Sequence, residues 1–393
     1  MRLTNLIKYI LAIITLGITT ISYADESKIP EPFRGENNLS GLTIDYKNYN
    51  RLLRVAVIEM GRSERKKAKE VRSNHGTRLK NNRKRLTTLE GNRFYFEAFK
   101  YENNKQALHD IRTELEQLPA KAPLYHFSKK EQLAYWLNLY NITLLDEIVA
   151  LYPKKNLKAL FNGKNALVNQ KILTVANIAL SLNDIKNVIL KEKYNHDPDI
   201  LYGLYQGYIG APNIRTQAYT GDNVYDALAK NAREFVNSNR GTYSKNKNTF
   251  YISSLYERNA DYFPDFETDV TRHILKHLEG YHRSRLEDAL TVKANISNWR
   301  ITDVYGTIRS YGGSVNTNGA ALLNAVGGSN PANNGAMSNS LANAAAHSQL
   351  GLLSPEQMEI LSQLQMVHIR TVGTVTVTDL ESESSNEKQD KKE

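Results

Sequence analysis

The residue types and spacing most suggestive of a working site lie around a small-residue turn in GLYQGYIGAPNIR, residues 203–215. Tyr205 and Tyr208 in this stretch, and Tyr202 just before it, precede Gly210-Ala211-Pro212, and Arg215 follows the turn. The stretch holds no thiol, imidazole or carboxylate, so acyl-transfer chemistry lacks its usual groups. Arg215 could bind a carboxylate or phosphate through its planar guanidinium, or pair structurally with Asp222 or Glu234. We predict a ligand-binding cleft lined by Trp136, Asn138, Asn141, Tyr208 and Arg215.

A second group of residues that could carry chemistry is the pair His273 and His277, with His282 further along the chain. The H-x-x-x-H spacing puts two imidazoles on one helical face, as zinc ligation requires. The HExxH glutamate is missing, and RHILKHLE at 272–279 is typical of an amphipathic surface helix. Nine histidines make such a pair easy to obtain by chance. We therefore predict no metal site and no cofactor.

Other common chemistries are excluded by composition or motif. The chain has no cysteine, which removes thiol nucleophiles, CxxC redox pairs and cysteine-ligated zinc. It has no G-x-S-x-G elbow, and the glycines of 306–328 match no phosphate-binding fingerprint. An envelope hydrolase or acyl transferase remains an alternative if folding brings a histidine near the turn.

The element best defined by the sequence is a long helix before the turn. Ser128-Lys-Lys-Glu is a capping box, apolar residues from Leu133 to Leu151 fall on one face, and Pro153 ends the pattern. Asn138 and Asn141 lie at the edge of that face. A buried amide without a partner costs roughly 1–3 kcal/mol, so we expect both to bond to a neighbouring backbone segment.

Flanking patterns complete the arrangement. Ile200–Ile209 is predicted as a buried strand in which Gly203 and Gly207 let other backbone approach. Pro119 is predicted to end the helix of 108–118, and Gly61 the helix that starts at Tyr46. Further helices are expected at 181–190, 224–237 and 268–278, and short strands at 94–96 and 249–254.

Several segments together resemble one family. LAYWLNLYNITLLDEIVALYP, ALSLNDIKNVIL, DPDILYGLYQGYIGAPNIR and AYTGDNVYDALAKNAREFVNSNRG follow the order and spacing of the bacterial proteins known as domain of unknown function 547. The resemblance is firm from about residue 125 to 245. It implies an α+β fold, distantly similar to papain and transglutaminase-like enzymes, in proteins that are often exported or envelope-associated.

This resemblance does not bring a mechanism with it. Many members carry a histidine and two cysteines around the turn, where this chain has Leu201, Gln206 and Ala211. Glu and His of the family's preceding helix are replaced by Lys186 and Asn187. The resemblance therefore implies the fold and the position of a pocket, without the thiol and imidazole.

The N-terminus predicts export. Residues 1–24 have Arg2 and Lys8 before an apolar run of about a dozen residues, shorter than the roughly 20 that span a bilayer. We predict a signal peptide cleaved near Ala24 and a periplasmic or secreted protein without a transmembrane anchor after processing. An uncleaved anchor is the alternative.

The remaining boundaries follow from composition. Residues 25–40 are predicted as a linker and 41–305 as one mainly helical α+β domain with a small sheet. An Asn/Gly/Ala-rich flexible segment is expected at 306–353, a short helix and strand at 354–380, and a charged disordered tail at 381–393.

Positive charge is concentrated in one stretch. Residues 51–100 hold fifteen Lys/Arg and five Asp/Glu, a difference equal to the net charge of +10. In an exported protein, anionic envelope polymers or lipid headgroups are better partners for such a stretch than nucleic acid. A solvated helix face is the simpler alternative. The candidate contact residues are Lys66, Lys67, Arg83, Lys84 and Arg85.

The sequence as a whole favours a non-catalytic ligand- or partner-binding protein of the cell envelope. The alternatives are the non-cysteine enzyme and an anionic-surface adsorption module at residues 62–85.

Overall fold

The computed structural model describes residues 27–67, 86–246 and 248–303, and the backbone of 377–378. The predicted signal peptide, the 306–353 segment and the charged tail lie outside these residues. The described chain is mainly helical with sheets of two or three strands, which confirms the predicted α+β domain. Its longer helices span Lys47–Ala56, Glu102–Lys121, Lys129–Leu151, Val224–Val236, Phe266–His277 and Gly280–Glu287.

Shorter elements connect these helices. The strands are β1 (Thr43–Ile44), β2 (Val57–Ile58), β3 (Arg93–Phe94), β4 (Leu173–Val175), β5 (Ile178–Leu180), β6 (Thr242–Ser244), β7 (Thr249–Ser253), β8 (Thr291–Ile296) and β9 (Val377–Thr378). Short helical turns are Glu31–Phe33, Phe96–Lys100, Leu124–His126, Lys158–Phe161, Leu167–Asn169, Pro198–Gly203, Ser254–Glu257 and Ala260–Tyr262.

The Lys129–Leu151 helix, called the central helix below, forms the middle of the larger hydrophobic core. Its start is as predicted, because the Ser128 hydroxyl accepts the Glu131 N–H at 3.2 Å. The reciprocal half of the capping box does not form: Glu131 accepts the N–H groups of Ile44 (3.0 Å) and Gly221 (2.7 Å) instead. Every residue from 131 to 145 is buried, so the expectation of a single buried face was wrong.

Pro119 does not end its helix, which continues to Lys121. A proline inside a helix has no N–H to donate to the carbonyl four residues earlier, here that of Leu115. The hydroxyl of Tyr135, from the central helix, donates to that carbonyl at 2.9 Å. Tertiary packing thus supplies the missing bond, which the local sequence could not indicate.

The Ser181–Asp184 capping box is complete and opens a helix through residue 193. The Ser181 hydroxyl accepts the Asp184 N–H at 3.0 Å, and an Asp184 carboxylate oxygen accepts the Ser181 N–H at 2.6 Å. The middle of this helix, Ile185–Leu190, has π-helical hydrogen bonding. This wider turn carries Lys186.

The predicted strand at 200–209 was only partly right. Its residues are buried, but Pro198–Gly203 forms a 3-10 helix that begins with an aspartate cap, Asp197. The part that follows is extended, with one bridge between Tyr208 and Ile301. Proline at the first helical position favours the turn, and a run of apolar residues does not distinguish strand from buried helix.

Close packing at the glycines of this segment also differs from expectation. A Cβ at Gly203 would lie 2.6 Å from a Leu228 methyl, and one at Gly207 would lie 2.2 Å from an Ile148 methyl. Backbone approaches instead at Gly210, where a Cβ would be 2.6 Å from the Asn298 nitrogen. Side chains of the helices therefore occupy the space beside Gly203 and Gly207.

A second hydrophobic cluster surrounds the three-stranded sheet, in which β7 pairs antiparallel with β6 and parallel with β8. The predicted strand at 249–254 and the helices at 224–237 and 268–278 are confirmed within about two residues. The first helix ends earlier than Gly61, because Val57–Ile58 pairs with Arg93–Phe94 as β2 and β3.

The segment before residue 40 is packed against this domain. Phe33, inside the stretch expected to be a linker, is fully buried, with its ring centroid 4.9 Å from that of Trp136. The segment therefore contributes to the core. Among the residues that the structure describes, no helix combines the length and apolarity needed to cross a bilayer.

Candidate functional site

The Gly210-Ala211-Pro212 turn is supported from behind by a buried arginine, Arg240, which is paired with the partly exposed Glu234. The Ala211 N–H bonds to the Tyr208 carbonyl at 3.1 Å, and its carbonyl accepts from the Arg240 guanidinium at 2.7 Å. Arg240 is 1% exposed, and both oxygens of Glu234 accept from it at 2.5 and 2.6 Å. This arginine fixes the turn, and its charge is matched by Glu234.

The two predicted asparagines hold loops against the central helix. The Asn138 amide donates to the Tyr219 carbonyl at 2.7 Å and accepts the Tyr219 N–H at 3.0 Å. Asn141 does the same between Gly203 (2.9 Å) and Tyr205 (2.9 Å). The predicted bonds to a neighbouring backbone segment are confirmed. Both side-chain amides bond to backbone groups, so we infer that Asn138 and Asn141 position the turn rather than bind a ligand.

Trp136 lies in the hydrophobic core, with no exposed surface. Its ring packs edge-on against Phe33 and Tyr135, at 4.9 and 5.0 Å between centroids. A ligand contact at Trp136 would require the core to open, so its predicted place in a cleft stays a prediction.

Arg215 is half-buried and stacks on Tyr219, with 5.3 Å from the guanidinium carbon to the ring centroid. Arg215 pairs with neither Asp222 nor Glu234. Glu234 is bound to Arg240, and in the described chain no carboxylate lies within 4.0 Å of Arg215. Burial raises the pKa of Tyr219 to about 12, although Arg215 opposes the increase. The guanidinium edge of Arg215 is thus free of a carboxylate.

Tyr208 leads to a different group of residues. Its hydroxyl donates to Gln206 and accepts from the Arg258 guanidinium at 2.5 Å. The Tyr208 ring lies 4.5 Å from that of Trp299 and 5.3 Å from that of Phe161, between centroids. The Arg258 guanidinium carbon lies 4.6 Å above the Trp299 ring. The Arg258 guanidinium therefore packs over the ring of Trp299, which in turn packs against Tyr208.

Lys186 brings a second positive charge to this place. Its ammonium group donates to Asn259, the residue after Arg258, at 2.8 Å. Burial first and the positive charge of Arg258 second lower the pKa of Lys186 to about 8, against an opposing effect of Asp261. Asp261 is 80% exposed and lies 3.9 Å from Lys191. The two cations are therefore close enough to repel one another.

This group, Lys186, Gln206, Tyr208, Arg258 and Trp299, is called the cation cluster below. Lys186, Arg258 and Trp299 are partly exposed, and Gln206 and Tyr208 are buried beneath them. Throughout the described ranges, no carboxylate oxygen lies within 4.0 Å of Lys186 or Arg258. Two like charges at a partly desolvated place are unfavourable without a counter-charge. The cluster is suited to binding an anion.

Comparison with known proteins gives a family and no closer relative. Residues 124–236 match the family model described as protein of unknown function, DUF547. This match covers 113 of the 393 residues and supports membership of the DUF547 family. No curated protein and no solved structure matches the chain.

The fold brings together two positions at which this chain differs from the residues that the family resemblance leads one to expect. Gln206 replaces an expected cysteine and Lys186 an expected acidic residue, and both belong to the cation cluster. Arg258 and Trp299 lie outside the matched segment and complete it. The group is therefore built partly by the DUF547 segment and partly by the chain that follows it.

The sequence-based prediction found Tyr208 and missed the other four members as site residues. The sequence indicates Lys186 and Gln206 only as differences from the family pattern. No sequence motif points to Arg258 or Trp299, because the fold alone places them beside Tyr208. These two differences from the family pattern could have indicated the site, because Lys186 and Gln206 stand at positions where chemically active residues are expected.

The enzyme alternative requires a histidine near the turn, and no histidine hydrogen bond among the described residues reaches Ala211. The hydrogen bonds of Ala211 are with Tyr208 and Arg240. In the described chain, His109 and His196 contact the carboxylates of Asp146 and Glu192. His277 contacts Asp199, and His273 contacts the Tyr202 hydroxyl. None of these bonds places an imidazole at the turn.

Proposed function

We propose that this DUF547 protein is an exported, non-catalytic binding protein that holds an oxyanion, such as a carboxylate, phosphate or sulfate group, at the cation cluster. The observation that carries the proposal is the pair Lys186 and Arg258, close together, partly buried and without a carboxylate partner within 4.0 Å in the described chain.

Export and the absence of catalysis rest on separate observations. The N-terminal sequence has the pattern of a cleaved signal peptide, which supports the proposed location in the periplasm or outside the cell. The 393-residue sequence has no cysteine, so it cannot supply a thiol nucleophile. The family resemblance implies a thiol at the position of Ala211 in many relatives, and the ion pair of buried Arg240 with Glu234 lies behind this residue.

The cluster offers several contacts to a small anion. Arg258 donates to Ser254 (2.8 Å) and Tyr208 (2.5 Å), one bond from each terminal nitrogen. A guanidinium has five N–H groups, so three remain for a ligand, together with the remaining hydrogens of the Lys186 ammonium. The edge of Trp299 lies alongside for an attached apolar group.

Isothermal titration of the mature protein with inorganic phosphate and with succinate tests the proposal. We expect saturable binding of at least one of these probes and none of succinamide, which lacks the charge. Arg258→Gln removes charge-assisted hydrogen bonds worth about 1.5–3 kcal/mol, so affinity should fall by about 10- to 150-fold. The matched control is Arg272→Gln, an exposed arginine paired with Asp269.

Arg215→Ala separates the cation cluster from the other half-buried arginine. If the anion binds at Arg215, this variant loses affinity and Arg258→Gln does not, and the proposal fails. It fails equally if neither phosphate nor succinate binds wild type at millimolar concentration.

A second proposal, adsorption to anionic envelope surfaces, rests on the charge excess of residues 51–100. Lys66 and Lys67 are exposed, and Lys66 lies 2.6 Å from Glu64; Arg83, Lys84 and Arg85 lie outside the described residues. Co-sedimentation with phosphatidylglycerol vesicles should fall with salt and with neutralisation of these five residues. Unchanged sedimentation of the neutralised variant would remove this function.

A further inference from the structure

A different group of side chains, on the side of the Phe266–His277 helix, has the composition of a metal site. His273 and His277 were predicted to lie on a surface helix, but they are only 8% and 7% exposed. Both point toward the Pro198–Gly203 turn and its Asp199. The surface assignment was therefore wrong for this face, and the sequence could not indicate that Asp199 faces it.

The three potential ligand atoms converge. Asp199 Oδ1 lies 2.7 Å from His277 Nε2 and 3.9 Å from His273 Nε2, and all three atoms lie within 4.8 Å of one another. Ligands at 2.0–2.1 Å in a tetrahedral zinc site are about 3.3 Å apart. The observed separations lie on both sides of this value, so small side-chain movements bring the atoms to bonding distance.

The surrounding residues support such a site. The Asp199 N–H donates to the Asp197 carboxylate at 3.0 Å, a cap that holds the backbone of Asp199 in place. The Tyr202 hydroxyl lies 2.9 Å from His273 Nε2 and 3.0 Å from the Tyr256 hydroxyl. A hydroxyl oxygen thus lies beside one of the three potential ligand atoms, where it could serve as a further ligand or as a partner for bound water.

Charge at the group also favours a cation. Two carboxylates, those of Asp197 and Asp199, lie at the group, and the neighbouring ammonium group is that of Lys276, 2.5 Å from Asp199 Oδ2. Lys276 is 61% exposed and uses the oxygen that faces away from the histidines. Asp199 Oδ1 remains for an ion.

We propose that Asp199, His273 and His277 form a binding site for a divalent transition metal, with zinc the expected ion. Two imidazoles and one carboxylate are a three-ligand set that zinc accepts, with water or a hydroxyl in the fourth position. The imidazoles bind through Nε2 in the neutral form with their protons on Nδ1. The site joins the DUF547 segment, through Asp199, to the helix that follows it.

Titration of the untagged mature protein with ZnCl2 tests this proposal. We expect one ion per chain and a higher melting temperature with zinc. His277→Gln and Asp199→Asn should each weaken binding by at least about a hundredfold, beyond what outer-shell changes produce. The control is His109→Gln, an exposed histidine 3.0 Å from Asp146, which should bind like wild type.

X-ray absorption of the zinc-loaded wild type guards against variants that fail to fold. The expected spectrum shows nitrogen and oxygen neighbours with the outer-shell scattering of two imidazoles. The proposal is overturned if wild type binds no zinc, if folded His277→Gln binds as tightly as wild type, or if the spectrum lacks imidazole scattering. In those cases the group is a hydrogen-bond network between the helix and the turn.

Discussion

Lys186→Gln should stabilise the protein while removing anion binding. In the fold, burial and Arg258 lower the pKa of Lys186 from 10.5 to about 8. At 1.36 kcal/mol per pKa unit, this shift is a penalty of roughly 3 kcal/mol for the charged side chain at neutral pH. Partial exposure screens the charge and reduces the penalty to about 1–2 kcal/mol. Glutamine at position 186 removes this penalty, because it is uncharged, and keeps a hydrogen-bond donor for Asn259.

The sign of the pH dependence follows from the same shift. Between about pH 8 and 10.5 the unfolded chain keeps a proton on Lys186 that the folded chain has lost, so wild-type stability rises with pH in this range. The advantage of Lys186→Gln should therefore be present at pH 7 and shrink toward zero as pH rises through this window.

Urea denaturation at pH 7 and pH 10 measures this difference, because the other titrating groups are common to both proteins. We expect Lys186→Gln to gain about 1 kcal/mol at pH 7 and nearly nothing at pH 10. Lys130→Gln, an exposed lysine of the central helix, is the control and should show no gain at either pH. A Lys186→Gln protein no more stable than wild type at pH 7, or equally stabilised at both pH values, would refute the reasoning.

Three further predictions concern binding and the positioning residues. Anion affinity, measured by calorimetry, should be constant below about pH 8 and fall by up to tenfold per pH unit above it, as the Lys186 ammonium is lost; a constant affinity to pH 10 would contradict this. Asn141→Ala leaves a buried carbonyl and a buried N–H without partners and should lower the free energy of unfolding by about 2–4 kcal/mol in urea. Tyr135→Phe removes the donor to the Leu115 carbonyl and should cost about 1–2 kcal/mol by the same assay, whereas no loss would mean that water replaces the hydroxyl.

The sequence predicted well where a local pattern decides the structure. The Ser181–Asp184 capping box and the amphipathic helix at 224–237 need only neighbouring residues, and both formed as predicted. The bonds of Asn138 and Asn141 followed from the cost of burying an amide without a partner. These inferences rest on chemistry that any folded arrangement must satisfy.

The errors share a cause, which is long-range contact. Helix continues past Pro119 because Tyr135 supplies a bond from another helix, and apolar residues at 200–209 form a 3-10 turn rather than a strand. The candidate sites depend on such contacts even more. Arg258 is 50 positions from Tyr208, and His277 is 78 from Asp199. No local pattern relates these pairs.

The most direct test of anion binding at the cation cluster is a crystal structure of the mature protein with selenate, located by the anomalous scattering of selenium. Selenate presents the oxygens of a sulfate group, and its position can be found independently of the protein atoms. We predict an anomalous peak within hydrogen-bond reach of both Lys186 and Arg258, beside Trp299. A cluster without a peak, with selenate bound at Arg215 or at scattered surface lysines, would contradict the account.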